Sequence, residues 1–353
     1  MKNSRINARL SSSFSVLGLV TSVFMVVNPA RAQTLVVAKE ISPPVSATEL
    51  EVIDEEFHVV GADRARWRMD VQDDGVKFVA LDARSAQTRP ANSLPDGIVS
   101  ANRASGLQGW LINPTRRYRH GVLGDQIEAA GLRIQDRQGN TYDHILDDQA
   151  VFEDREVRFW DIGGDDRAEI VVVRSGLDTG AQLAIFEYRS EAVVEIASSQ
   201  PIGQAHRWLN PVGAADFDGD GRIEVAAVIT PHLGAVLRLF RLDQDRLEPV
   251  YSAHGFSNHG IGMRSMRLAA VIDANGDGIP DIVSPNAARN AMRIITFAGG
   301  RFRELDRVSH RSSIVGNAVV FQRKGQPVIA YPLGNGRISL LEFPEGRVTL
   351  TKH

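Results

Sequence analysis

Apolar side chains fall along this chain in short runs of strand type, separated by tight polar turns. LAIFEY (183–188), VLRLFRL (236–242) and MRIITFA (292–298) alternate apolar with other residues, the two-residue period of a strand. Each is preceded by a β-rich run, IVVV (170–173), VAAVI (225–229) or IVS (282–284), and a turn containing Gly or Pro. Each is followed by a short polar turn and a further strand, AVVEIA, LEPVYSA or FRELDRV. Such turns join antiparallel neighbours, so every unit reads as a four-stranded meander. A single meander has two exposed edges and cannot cover its own faces; several must pack together.

The units repeat. An acidic loop opens each one, starting at Asp161, Asp216 and Asp273, a period of about 55 residues. The tail repeats the pattern without the loop, through Ala318–Phe321, PVIAYP, RISLLEF and a final RVTLT. Upstream, LPDGIVS (94–100) resembles IPDIVS (279–284), and GLRIQDRQGNTYDHI holds a hairpin around Gly139 and Asn140, while residues 45–92 match least. A pair of β-sandwiches does not explain the period. The expectation is an all-β fold over residues 46–353, a single β-propeller of six or seven four-stranded antiparallel blades, with 33–45 as a leader or closing strand.

Composition changes the picture in two ways. Residues 1–32 have the build of a secretory signal peptide: Lys2, Arg5 and Arg9 precede an apolar stretch from Phe14 to Val27, and Asn28-Pro29 and Ala30-Arg31-Ala32 supply the break and the small-x-small cleavage pattern. Its apolar run is too short to cross a bilayer, which takes about 20 residues. A periplasmic or secreted protein with no transmembrane anchor after cleavage is expected, acting as a monomer. The whole chain of 353 residues carries a net charge of −3, more acidic once that segment is removed, which argues against nucleic-acid partners. It also has no Cys, so disulfides, thiolate metal sites and Cys nucleophiles are excluded. Stability outside the cell would have to come from core burial, ring closure or metal.

Metal has an obvious place to sit. Oxygen side chains occupy positions 1, 3, 5 and 9 of two loops: Asp216, Asp218, Asp220 and Glu224 in one, Asp273, Asn275, Asp277 and Asp281 in the other. Gly221 and Gly278 permit the sharp turn, and the carbonyls of Arg222 and Ile279 offer one more ligand each. Oxygen-only ligation suits Ca²⁺, and crowded carboxylates repel unless a cation lies among them. Two Ca²⁺ sites are therefore expected, the other reading being solvated Asp-Gly turns. The loop at Asp161 has Gly163 where a ligand should be and Asp166 in place of glycine, and reads better as a plain turn.

The Asp-x-Asp/Asn-x-Asp-Gly-x-x-Asp/Glu spacing, ending in a strand and recurring every 55 or so residues, resembles the FG-GAP/VCBS repeats of integrin α-subunit propellers and of exported bacterial proteins. The resemblance is clearest over residues 157–343. It implies Ca²⁺ loops between the first and second strands of a blade, and no particular activity.

If so, the turns between second and third strands, and those between blades, emerge on the opposite face. Five of the nine His lie in those turns: His120, His206, His232, His254 and His259. Candidate ligand-binding residues there are His206, Arg207, Trp208, Asn210, His232, Asn258, His259, Arg264, Asn286 and Arg289. They suit an unidentified protein or glycan ligand, with the arginines facing anions and Trp208 either stacking on a sugar or packing between blades. The same side chains could instead bond orphan backbone groups. No catalytic motif appears, and Ser257 near His259 has no third partner. A hydrolase or lyase using the His-rich turns is the alternative to a binding module.

Overall fold

Strands with apolar side chains on both faces need a sheet on either side, and that requirement organises this fold. The computed structural model describes residues 35–53, 55–82 and 89–343, with no helix among them. Residues 1–32, for which a signal peptide is expected, and the terminal RVTLT run lie outside the described residues. Among the described residues no helix is long and apolar enough to cross a membrane.

Strand β1 (Val37–Ile41) stands apart from the next four. The strands β2 (Ala47–Ile53), β3 (Glu56–Gly61), β4 (Arg66–Gln72) and β5 (Gly75–Leu81) form an antiparallel meander. A second is built from β6 (Ser100–Asn102), β7 (Leu107–Thr115), β8 (Glu128–Gln135) and β9 (Thr141–Ile145). In the third, β10 (Ala150–Phe152) and β11 (Arg158–Trp160) both pair with β12 (Glu169–Gly176), which leads to β13 (Gly180–Arg189) and β14 (Ala192–Ser199). The fourth holds β15 (Leu209–Ala215), β16 (Glu224–Ile229), β17 (Val236–Asp243) and β18 (Arg246–His254). The fifth holds β19 (Ala270–Ile272), β20 (Asp281–Pro285), β21 (Ala291–Thr296) and β22 (Arg303–Ser309). Last come β23 (Val319–Arg323), β24 (Gln326–Pro332) and β25 (Ile338–Glu342), and β1 lies antiparallel on β25 with Val37 opposite Glu342.

Strands β6 to β18 are joined into one 13-stranded sheet, but the joints are thin. A single pair, Phe152 with Ala129, links β10 to β8, and two parallel pairs link β14 to β18. The strands expected after each acidic loop, through FRELDRV of the third unit, are present as antiparallel meanders. Residues 45–92, the weakest match in sequence, hold an equally regular meander. The likeness of LPDGIVS to a strand does not carry over: its strand begins only at Ser100, and residues 94–99 run as turns and coil around Leu94, which is 1% exposed.

Both faces of the middle strands are used. In β16, Val225 and Ala227 pack toward β11–β14, while Ala226 and Val228 pack toward β19–β22. In β12, Val171 and Val173 face β15–β18, and Ile170 and Val172 face β6–β9. Further apolar clusters join β19–β22 to β23–β25 through Ile272, Met292 and Ile329, and β23–β25 to β2–β5 through Phe321, Val59 and Leu50. Burial of this kind stabilises by roughly 25 cal/mol per Å², and the continuous apolar runs of IVVV and VAAVI are its signature. Between β2–β5 and β6–β9 the described residues form no apolar cluster, and the contact there includes the Arg103–Glu55 ion pair.

Candidate functional site

Turns at opposite ends of the sheets build two different surfaces. At one end lie the acidic loops, each fastened by its own carboxylates. Asp216 accepts the N–H groups of Gly219, Asp220 and Gly221 at 2.8–3.1 Å, and Glu224 accepts that of Phe217 at 3.0 Å. Asp273 does the same for Gly276, Asp277 and Gly278, and Asp281 for Ala274. The loop at Asp161 is closed identically, by Asp161 and by Glu169. Its missing third-position ligand is thus irrelevant to its shape. Asp166 there adopts φ 64°, where Gly221 and Gly278 have 88° and 85°.

The two strong loops differ in what balances their charge. Carboxylate oxygens of Asp216, Asp218 and Glu224 lie within 4.8 Å of one another, a buried acidic cluster able to take a divalent metal. Arg241 of β17 already reaches into it, to Glu224 at 2.8 Å, Asp218 at 3.0 Å and Asp220 at 3.1 Å, and Tyr251 donates its hydroxyl to Asp218 at 2.7 Å. Burial opposes ionisation of Asp218, but Tyr251, the Asp220 amide and Arg241 outweigh it and hold its carboxyl below the ordinary range. For Glu224 burial wins and the pKa is raised. The repulsion that the sequence assigned to a cation is met here at least in part by a guanidinium.

The Asp273 loop is braced in part by its own side chains and amides. Asn275 Nδ2 donates to Asp277 at 2.9 Å, and Ile279 gives its N–H to Asp277 much as Arg222 does to Asp220. Asp281 Oδ1 is buried without a hydrogen-bond partner, and burial, with Asp277 and Asp273 nearby, pushes this carboxyl up to about 7. An all-oxygen donor set suits a hard cation. Gly219 lies so close to the Ile279 side chain that an added Cβ would meet it at 2.6 Å, so the two loops abut.

At the other end of the sheets, turns from distant parts of the chain meet around a cavity of about 220 Å³ lined by His120, His206, Arg207, Trp208, Thr230 and His232, with Leu233 and Ile261 beside them. Its floor is a chain of rings. His232 stacks on Trp208 with a 7° angle between planes, and His259 meets the indole edge-on. Because a carbonyl can only accept, His259 Nε2 donates to Met263 O at 2.9 Å; its Nδ1 then accepts from His232 Nε2 at 3.0 Å. Burial holds both imidazoles neutral, His232 at about 4 and His259 at about 3. Along the wall, His120 Nδ1 pairs with the fully buried Glu153, whose other oxygen accepts from Ser175. Burial raises the pKa of Glu153, and beneath it burial and Glu153 push Glu128 up to about 9. His206 packs its ring 5.3 Å from His120 and sits at φ 58°, and Thr230 sits at φ 46°, conformations costly for residues with a Cβ and costlier still for a β-branched one.

Not every candidate joins this cavity. Trp208 borders it only from below: the indole is 2% exposed, covered by His232 and bonded through Nε1 to Glu153 O at 2.9 Å, so it packs between sheets and cannot stack on a sugar. Asn210 and Asn258 are buried and clasp each other's backbone carbonyls at 3.2 Å. Asn286 closes its own turn onto Asn290 and Ala291. Arg264 pairs with Asp125 and Asp96. His254 is exposed at the end of β18 and lines no part of the cavity. Ser257 Oγ donates to the backbone carbonyl of His259, not to its ring, so no Ser–His nucleophile forms. Glu153, Arg241, Leu233 and Ile261 were not singled out by sequence. Arg241 occupies an ordinary alternating position of VLRLFRL; only the acids between flanking apolar residues in AVFEDREV hinted at buried charge.

No family model and no curated protein matches the chain. Among solved structures, a crystal structure of BBS1N in complex with ARL6DN, soaked with mercury, matches with a TM-score of 0.50 and 10% identity, covering 89% of this chain and 99% of that one. A lead-soaked crystal of the same complex gives 0.49 and 10%, covering 89% and 98%. At that identity the likeness concerns the path of the chain alone.

Proposed function

We propose that the meanders close into a single six-bladed β-propeller of the FG-GAP/VCBS type, exported to the periplasm or beyond, which binds a protein or glycan through the face opposite its acidic loops. The observation that carries the binding role is the convergence of His120, His206, His232 and Ile261, far apart in sequence, on one cavity rich in imidazole. Six meanders joined in order by five apolar clusters, with β1 completing the last sheet, support ring closure. Calcium would be held by Asp273, Asn275, Asp277 and Asp281, and at the neighbouring loop by Asp216, Asp218 and Glu224, supplying charge neutralisation where buried carboxylates crowd. Elemental analysis together with melting in EDTA tests the metal: an unchanged midpoint and no bound Ca²⁺ would remove it. Screening the purified protein against glycan and peptide arrays, with a Leu233→Glu/Ile261→Glu variant as control, tests the face. Binding that survives in the variant would place recognition elsewhere.

A second reading, general-base chemistry, draws on one observation: the buried Glu153 orients His120 beside the cavity, as a carboxylate orients a catalytic imidazole. His120→Gln would abolish a hydrolytic or eliminative activity and leave simple binding in place.

A further inference from the structure

A cation taken out of water is costly unless an anion accompanies it. The arginines obey this rule with two exceptions. Among the described residues, those that are buried or half-buried pair with a carboxylate, as Arg66 does with Glu51, Arg158 with Asp154, Arg174 with Glu195 and Arg293 with Glu304. Arg207 and Arg289 have no such partner. Arg207, in the cavity wall, has the carbonyl of His206 at 3.4 Å. Arg289, at φ 52° in the turn between β20 and β21, donates to two neutral acceptors, Ser257 Oγ at 3.1 Å and His259 O at 3.2 Å. Burial, with no charge to offset it, lowers the pKa of Arg289.

The two lone guanidinium groups bracket one feature. Arg207 shares the cavity wall with His232, and Arg289 holds the residue whose ring receives the His232 N–H. Both of those imidazoles are neutral, His120 is paired with Glu153, and the charge of Arg264 is met by Asp125 and Asp96. Uncompensated positive charge therefore lies in the cavity wall at Arg207, and a second one lies behind the His232–His259 pair at Arg289. At the mouth, Ile261 and Leu233 are 73% and 69% exposed, the two most exposed large aliphatic residues described. A cavity of about 220 Å³ is smaller than the ~300–1,000 Å³ of typical ligand pockets. It suits one functional group, with the rest of the molecule outside.

From this arrangement we infer that the cavity takes the oxyanion end, a carboxylate or phosphate, of a ligand whose apolar body lies on Leu233 and Ile261. Arg207 supplies forked N–H donors to the oxyanion, for which guanidinium geometry is suited, and Arg289 adds positive charge from behind His259. This rests on the binding-face reading and narrows it to a ligand class.

Isothermal titration of the full protein with hexanoate, hexyl phosphate, hexanol, acetate and inorganic phosphate at constant ionic strength tests it. At least one hexyl anion should bind at least tenfold more tightly than its short counterpart, acetate or inorganic phosphate, and more tightly than hexanol; the better of the two names the oxyanion. Arg207→Gln should raise its Kd at least tenfold and Arg289→Gln raise it by a smaller factor, each with an unchanged melting midpoint, and Arg207→Lys should recover part of the Arg207→Gln loss. Hexanol binding as tightly as the anions, or unchanged Kd in both glutamine variants, overturns the inference and leaves a binding face of other chemistry. Absence of binding by all five probes also overturns it, while the array experiment judges the binding face separately.

Discussion

Replacing Arg241 by Met keeps the bulk of the side chain but removes the guanidinium that reaches into the Asp216 cluster. The partners it leaves behind are buried: Glu224 has 0% and Asp218 5% of its side chain exposed, against 14% for Arg241 itself. Stripping one partner from a buried ion pair costs about 3–5 kcal/mol. Tyr251 still donates to Asp218 and the Phe217 amide to Glu224, so the lower end applies, about 3 kcal/mol. In a chain of this size 1 kcal/mol moves the midpoint by about 2 °C, giving a fall of about 6 °C in EDTA. Saturating Ca²⁺ should then recover much of that fall, since a divalent cation binding only the folded state replaces the lost charge. Scanning calorimetry of Arg241→Met and wild type, each with EDTA and with Ca²⁺, gives the four midpoints. A variant as stable as wild type in EDTA refutes the ion-pair reasoning. Equal Ca²⁺ shifts in both proteins refute competition between guanidinium and metal for one cluster.

Glu128, pushed up to about 9, keeps its proton in the folded state while the unfolded chain releases it above about 4.5. Its stabilising contribution is full below the lower value and is lost as pH rises toward the upper one; Glu128→Gln should flatten that decline and raise the melting midpoint at pH 8 relative to wild type. Gly278 has φ 85° and open space where a Cβ would project; Gly278→Ala should cost about 1 kcal/mol through backbone strain alone, measured by urea unfolding. Trp208→Phe should cost about 1–2 kcal/mol by leaving the Glu153 carbonyl unpaired, and Trp208→Ala about 3–5 kcal/mol by opening a cavity.

The alternation in LAIFEY, VLRLFRL and MRIITFA was enough to place antiparallel strands, because a covered face imposes a two-residue period whatever surrounds it. Loop chemistry was legible for a similar reason: the first and ninth carboxylates close the loop on amides a few residues away, so spacing alone encodes the shape. Residues 45–92 escaped the repeat because their meander has no acidic loop to mark it, yet the same packing demand builds the same sheet there. The charge partner of the Asp216 loop lay beyond any local pattern. Arg241 is on the strand after next, and its meeting with Glu224 is fixed by the pairing of β16 with β17.

The functional face divides in the same manner. Sequence alone determined that histidines and arginines gather in the turns opposite the acidic loops, since antiparallel connectivity sends alternate turns to opposite ends of each sheet. Only the tertiary structure decided which of them remain available. It buried Trp208, Asn210 and Asn258 in bonds between neighbouring sheets and neutralised Arg264 with two aspartates. Arg207 was left without a counter-charge in the wall of an open cavity, and Arg289 without one behind His259. Burial and charge pairing are set by residues tens to hundreds of positions away, and no local spacing carries that information.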